Sequence, residues 1–225
     1  MLGSFGLSLF VRSPIESNQA NKQSGHRAGN ASSFSHTKNF LSIHEMKTFV
    51  EIGSCDFDTL APLSHYGWRG VILEPIKKYF NNLQIEENVY YVNAAIDWED
   101  GVRTMWTAND DLVQRDKDYA GMSSFHKGDF KLPTGEKVLT TPIEVQTISF
   151  KTLFGMTEID HIDYLKIDAE GYDLEILKMF PWDEIKPSFI KFESKHIDVD
   201  VAVELLEYHG YKCEVDTQNT YAIKL

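Results

Sequence analysis

The chain alternates short β-rich runs with amphipathic helical stretches and then closes on two strands too close together to cross over, which restricts it to a few architectures. Thr48–Gly53 (TFVEIG), Gly70–Glu74 (GVILE), Val89–Ile96 (VYYVNAAI), Asp163–Asp168 (DYLKID) and Ser188–Glu193 (SFIKFE) are near-continuous apolar runs, as strands buried on both faces require. Between them, Asp58 can cap a short helix with Leu60, Leu63 and Tyr66 that stops at Gly67. Pro75 suits the first position of a helix bearing Ile76, Tyr79, Phe80 and Leu83. A helix from Gly171 to Phe180 turns Leu174, Leu177 and Phe180 inward, and Asp200 can cap one carrying Val201, Leu205 and Tyr208, ended by Gly210. Tyr211–Val215 and Thr220–Leu225 are separated by four residues, enough for a hairpin and too few for a crossover. The expected fold is α/β: a Rossmann-like sheet of about seven strands, mostly parallel, with an antiparallel C-terminal hairpin and helices on both faces.

Two further regions depart from this rhythm. Residues 1–44 contain nine serines, four asparagines and four glycines, with little to bury after Phe10-Val11, and are expected to be a disordered tail. Being basic and almost free of acids, the same stretch also fits an organelle-targeting segment. The domain is then 45–225. Residues 104–145 read as an insertion in which Val102–Thr107 and Ile143–Ser149 are strands, and Lys117–Thr141 is a long loop turning at Pro133–Gly135. A loop of that length inside a compact domain usually lids or selects a ligand.

Composition narrows the partners. Acidic residues outnumber basic ones 34 to 22, for a net charge of −12, the wrong balance for neutralising nucleic-acid phosphates. No apolar run approaches the ~20 residues of a membrane span. Two distant cysteines, Cys55 and Cys213, make neither a disulfide framework nor a thiolate zinc site, which points to a cytoplasmic or other reducing compartment.

In open α/β sheets the ligand sits beyond the carboxyl ends of the strands, at the switch in strand order. The five strand ends here are Glu51-Ile52-Gly53-Ser54-Cys55, Glu74, Asn93-Ala94, Asp168-Ala169-Glu170 and Glu193-Ser194-Lys195-His196. Glu74, about 20 residues beyond the glycine turn, suits two bonds to vicinal ribose hydroxyls. The turn Gly53-Ser54-Cys55-Asp56-Phe57 lacks the three glycines that admit a pyrophosphate, so a nucleoside without phosphates fits better. S-adenosylmethionine is such a ligand, and Glu51 would complement its ammonium group.

Phe49–Asp58 (FVEIGSCDFD), Val71–Pro75 (VILEP), Ile162–Glu175 (IDYLKIDAEGYDLE) and Ser188–Glu193 resemble, in order and over residues 47–225, the FkbM-type branch of the class I S-adenosylmethionine-dependent methyltransferases. The resemblance implies a seven-stranded sheet with its last strand antiparallel, and O-methylation of a hydroxyl on a small-molecule, sugar or lipid-like acceptor. By position it implies that Glu51, Gly53, Ser54 and Cys55 hold the methionine part of the cofactor, Glu74 its ribose, and Asn93 and Ala94 its adenine. The family commonly has Asp, Asn and a second glycine where this chain has Glu51, Cys55 and Phe57.

A hydroxyl acceptor must lose its proton to a base or to a metal that lowers its pKa. Asp168, beside the expected methyl group, Glu193 and His196 are the candidate bases. Glu170 is expected to cap the helix that follows it. Asp168 with Glu193 offers oxygen ligands to a divalent cation, without an identifiable third ligand; no metal is the favoured reading. Ser124, in the insertion, is a candidate cofactor contact. A nicotinamide-dependent oxidoreductase and a non-catalytic nucleoside-binding domain are the competing readings of the same sheet.

Overall fold

The computed structural model describes residues 10–12, 46–56, 59–115, 119–126 and 138–225. Asp58 and Phe57, most of residues 1–44, and the Pro133–Gly135 turn lie outside the described residues.

Among the described residues the main sheet has eight strands, one more than expected. They are β1 (Val11–Arg12), β2 (Thr48–Ile52), β3 (Arg69–Leu73), β4 (Val89–Val92), β9 (Tyr164–Ile167), β10 (Phe189–Glu193), β11 (Tyr211–Val215) and β12 (Asn219–Lys224). Their order is β1-β4-β3-β2-β9-β10-β12-β11. The central strands β4, β3, β2, β9 and β10 pair in parallel, whereas β12 runs antiparallel to both β10 and β11. Order reverses between β2 and β9, which lie side by side although more than a hundred residues separate them. This is the switch point, and ligand space opens beyond its carboxyl edge.

Both faces are covered, as runs apolar on both sides demand. On one face, Leu165, Ile167, Ile190 and Phe192 pack with Leu153 of α3 (Phe150–Thr157), Ile176 and Leu177 of α4 (Asp173–Met179), and Ala202 and Leu206 of α5 (Val199–Tyr208). On the other, Phe49, Ile72 and Tyr91 pack with Ala61 of a 3-10 helix (Ala61–Tyr66) and with Phe80 of α1 (Lys77–Asn82). Gly70 is required under the Phe49 ring, since a Cβ there would stand 2.0 Å from a ring carbon.

Several local expectations are corrected. The residue that caps α5 is Asp198, whose carboxylate accepts the Val201 amide, not Asp200; Ala202 and Leu206 are buried and Leu205 packs against the core as expected, while Val201 and Tyr208 are exposed. Pro75 precedes α1, whose cap is Ile76. Helix α3 has no counterpart in the sequence reading. Ser149 caps it by accepting the Thr152 amide, and Asp100 accepts from the Ser149 amide and from both hydroxyls.

Val89–Ile96 is not one strand. After β4 the chain leaves the main sheet at Asn93, and Ala95–Ile96 (β5) starts a second sheet of order β5-β8-β6-β7. Here β6 (Gly101–Ala108) and β8 (Thr140–Ile148) form a long antiparallel ladder, with α2 (Asp110–Arg115) and β7 (Ser123–Ser124) beyond it. The described part of the expected 104–145 excursion thus begins and ends in the paired strands β6 and β8, with α2 and β7 between them.

Within the N-terminal stretch, residues 10–12 dock on the domain. Val11 and Arg12 pair with Val92 and Tyr91, covering the edge of β4. The Arg12 guanidinium lies 4.7 Å from the Phe80 ring centre and donates to Asn81 Oδ1. Arg12→Ala is expected to lower stability by about 0.5–1 kcal/mol, the scale of an exposed cation–π contact. Urea unfolding of the full chain checks this.

Candidate active site

The turn after β2 is folded by glycine and by a carboxylate. Gly53 has φ +79°, and a Cβ on it would lie 2.0 Å from the Asp168 carbonyl oxygen, so the turn can lie against β9 only with glycine there. The chain then passes through Cys55, also left-handed at φ 49°, whose amide donates to Glu74 Oε2 at 2.7 Å. Glu74 Oε1 accepts the Ile76 amide at 2.7 Å. One carboxylate thus ties together the loops after β2 and β3. Burial pushes the Glu74 carboxyl up to about 7 against the pull of those two amides. Burial also raises the Cys55 thiol, with the Glu74 charge adding to it, so this cysteine is held neutral.

A cleft of about 220 Å³ opens at this edge. Seven of the residues singled out from sequence line it: Gly53, Ser54, Cys55, Glu74, Ala94, Asp168 and Glu193. Four do not. Glu51 is fully buried; its Oε1 accepts the Lys166 ammonium at 2.9 Å and its Oε2 accepts the Leu60 amide at 2.8 Å. Asn93 turns its amide onto the Glu74 and Pro75 carbonyl oxygens, which fixes the chain's exit from the main sheet. Ser124 is buried and accepts the His126 amide, while its neighbour Ser123 faces the cleft. His196 is exposed at the rim.

The cleft has an apolar end and an acidic end. Tyr79, Ala94, Ala95, Ile96 and Met105 form the first. Asp168, Glu170 and Glu193 form the second. Burial and mutual repulsion raise Glu170 to about 8 and Glu193 to about 7, with Lys195 opposing both. Glu170 does not cap the following helix. It sits at φ 48° facing the cleft, and the buried Asp173 closes the turn instead, accepting the Ala169 and Gly171 amides. Donor atoms of Glu170, Glu193 and His196 lie within 4.8 Å of one another.

The outer wall comes from α4 and the second sheet, and sequence reasoning passed over it. The Tyr172 hydroxyl donates to Asp97 Oδ1 at 2.8 Å, and Arg103 donates both to Asp97 Oδ2 and to the Tyr172 hydroxyl, each at 2.8 Å. The Arg103 guanidinium lies 4.1 Å from the centre of the Phe125 ring, and that ring meets Tyr172 edge-on at 4.9 Å. The only sequence signal was the aromatic residue following Gly171.

The family model described as methyltransferase FkbM domain matches residues 49–213. No curated protein matches the chain. Among solved structures, precorrin-6y C5,15-methyltransferase from Geobacter metallireducens GS-15 is similar at 16% identity, covering 82% of this chain and 84% of that one, with a TM-score of 0.40. No helix among the described residues is long and apolar enough to cross a membrane.

Proposed function

This chain belongs to the FkbM methyltransferase family, and we propose that it moves a methyl group from S-adenosylmethionine to a hydroxyl on a small-molecule, sugar or lipid-like acceptor. The observation that carries the reading is the cleft itself, where carboxylates from the ends of three strands, Glu74, Asp168 and Glu193, line one space at the switch point.

The residues fit the cofactor. Each Glu74 oxygen accepts one amide and keeps a lone pair, which leaves capacity for two ribose hydroxyls. Ala94, Ile96, Tyr79 and Met105 offer an apolar slot to the adenine. The turn at Gly53–Cys55 takes the methionine part, and the acidic end complements its positive charge. Bound there, S-adenosylmethionine supplies an electrophilic methyl group. The chain's own task is to orient the acceptor and take its proton. Asp168, exposed at the mouth of the cleft and backed by Glu193, is assigned that proton.

Calorimetry of the full chain with S-adenosylhomocysteine and with NAD tests the reading. Binding of the first and not the second is expected; preference for NAD overturns it in favour of an oxidoreductase. Labelled S-adenosylmethionine with cell extract then finds the acceptor, and the absence of any turnover leaves a binding domain.

Glu74→Ala is expected to weaken S-adenosylhomocysteine binding by about 1.5–3 kcal/mol, the scale of charge-assisted hydrogen bonds. A pH dependence follows from the same residue. Ribose hydroxyls donate to the ionised carboxylate, whereas the free protein holds the Glu74 proton up to about pH 7. Binding therefore releases a proton below that pH, and affinity falls as pH drops through it, by about tenfold per unit once well below. Titrations in buffers of different ionisation enthalpy read the released proton directly. Glu74→Ala should reduce it, and an unchanged signal in that variant removes Glu74 from the ribose.

A further inference from the structure

We propose that Glu170, Glu193 and His196 form a divalent-cation site at the acidic end of the cleft, one that presents the acceptor hydroxyl to Asp168. Three observations converge on it. The donor atoms of these side chains lie within 4.8 Å of one another, close to the roughly 4.4 Å that two ligands about 2.2 Å from one ion can span, so small side-chain rotations bring all three onto one ion. The donors come from two separate elements, the β9–α4 turn and the end of β10 with the residues just after it, side by side at the carboxyl edge of two paired strands.

The second observation is Glu193 Oε2, which is buried and has no hydrogen-bond partner among the described residues. A buried carboxylate oxygen without a donor is costly, and buried charge is normally paired or bound to metal. The oxygen belongs to a side chain that lines the cleft, so a ligand arriving there can satisfy it.

The third is the backbone at Glu170. A non-glycine residue at φ 48° is strained, and here the conformation places a glutamate in the cleft while Asp173 takes over the turn's amides. Strain of this kind concentrates where function holds a side chain in position. Lys195 opposes the mutual repulsion of Glu170 and Glu193, and it is exposed.

Two carboxylates and one imidazole suit a first-row divalent ion such as Mn²⁺ better than Mg²⁺ or Ca²⁺, which prefer oxygen alone. A cation held there would lower the pKa of an acceptor hydroxyl brought beside Asp168. The acceptor O–H bond then breaks, and its proton passes to the Asp168 carboxylate. That task rests on the methyl-transfer reading, whereas cation binding does not.

Mn²⁺ binding to the full chain, followed by the loss of the free-ion paramagnetic resonance signal and with no methyl donor present, tests the site. One saturable ion per chain is expected. Glu193→Gln and His196→Ala should each weaken it by on the order of tenfold or more, since even groups that only orient metal ligands cost that much when removed. Glu170→Gln should do the same. S-adenosylhomocysteine affinity is measured separately without metal, so a failed cation site and a failed cofactor site give different results. Thermal unfolding with and without Mn²⁺ supplies a second reading: wild type should gain melting temperature and Glu193→Gln should gain none. Absence of saturable binding in wild type overturns the proposal, as does wild-type affinity in all three variants.

Discussion

Asp168→Asn is expected to lower turnover by roughly 10²-fold or more, the usual scale for losing a general base. S-adenosylhomocysteine affinity should change far less. The reason is positional: Asp168 follows the last residue of β9, at the point where strand order reverses, and it lines the cleft at its acidic end. Asparagine keeps the shape and removes the basicity. Single-turnover measurements with an acceptor identified by labelled-methyl transfer separate chemistry from binding. Wild-type turnover in this variant would transfer the proton to His196 or to solvent.

The largest stability effect is expected at Lys166→Met. Glu51 and Lys166 are register partners on the adjacent parallel strands β2 and β9, and they meet at 2.9 Å with both side chains removed from solvent. Removing the ammonium leaves a carboxylate buried in the middle of the sheet. Breaking such a pair from one side costs about 3–5 kcal/mol, whereas replacing both partners by apolar groups is often nearly neutral. Urea unfolding should therefore show a large loss for Lys166→Met and substantial recovery when Glu51→Leu is added. A loss below about 1 kcal/mol in the single variant would mean that Glu51 is neutral in the fold.

What could be read from sequence follows from which interactions are local. Runs such as TFVEI, YLKI and FIKFE declare buried parallel strands because both faces must be apolar, and the four-residue link declares the hairpin. The β4–β5 break was invisible, because VYYVNAAI is uniformly strand-like and the Asn93 amide that bends it bonds to carbonyls of residues 74 and 75. Helix α3 is short, and its capping serine is held by Asp100, far away in the chain. The same distinction separates the candidate site residues. The strand-end rule located Glu74, Asp168 and Glu193 in one cleft. It could not tell that Glu51 faces the sheet interior, because that is decided by Lys166, 115 residues away. Nor could it assign the turn-closing bonds to Asp173 in place of Glu170, since both carboxylates flank the same turn.

The base of the β6–β8 ladder bears on how such a protein can diversify. Gly101 pairs with Thr147, and the Asp97 amide donates to the Ile148 carbonyl at 3.0 Å, so the chain leaves and re-enters the body of the domain at one clasped point. Lengthening a segment whose ends are already held together costs little, about 0.6 kcal/mol for each doubling. Segments of different length and chemistry can therefore be exchanged between Ala108 and Thr140, at the far end of the ladder, without shifting Glu74 or Asp168. A lineage built on this plan can change what it recognises by splicing one hairpin while inheriting its chemistry intact, and a chimera between two such proteins has its natural junctions there.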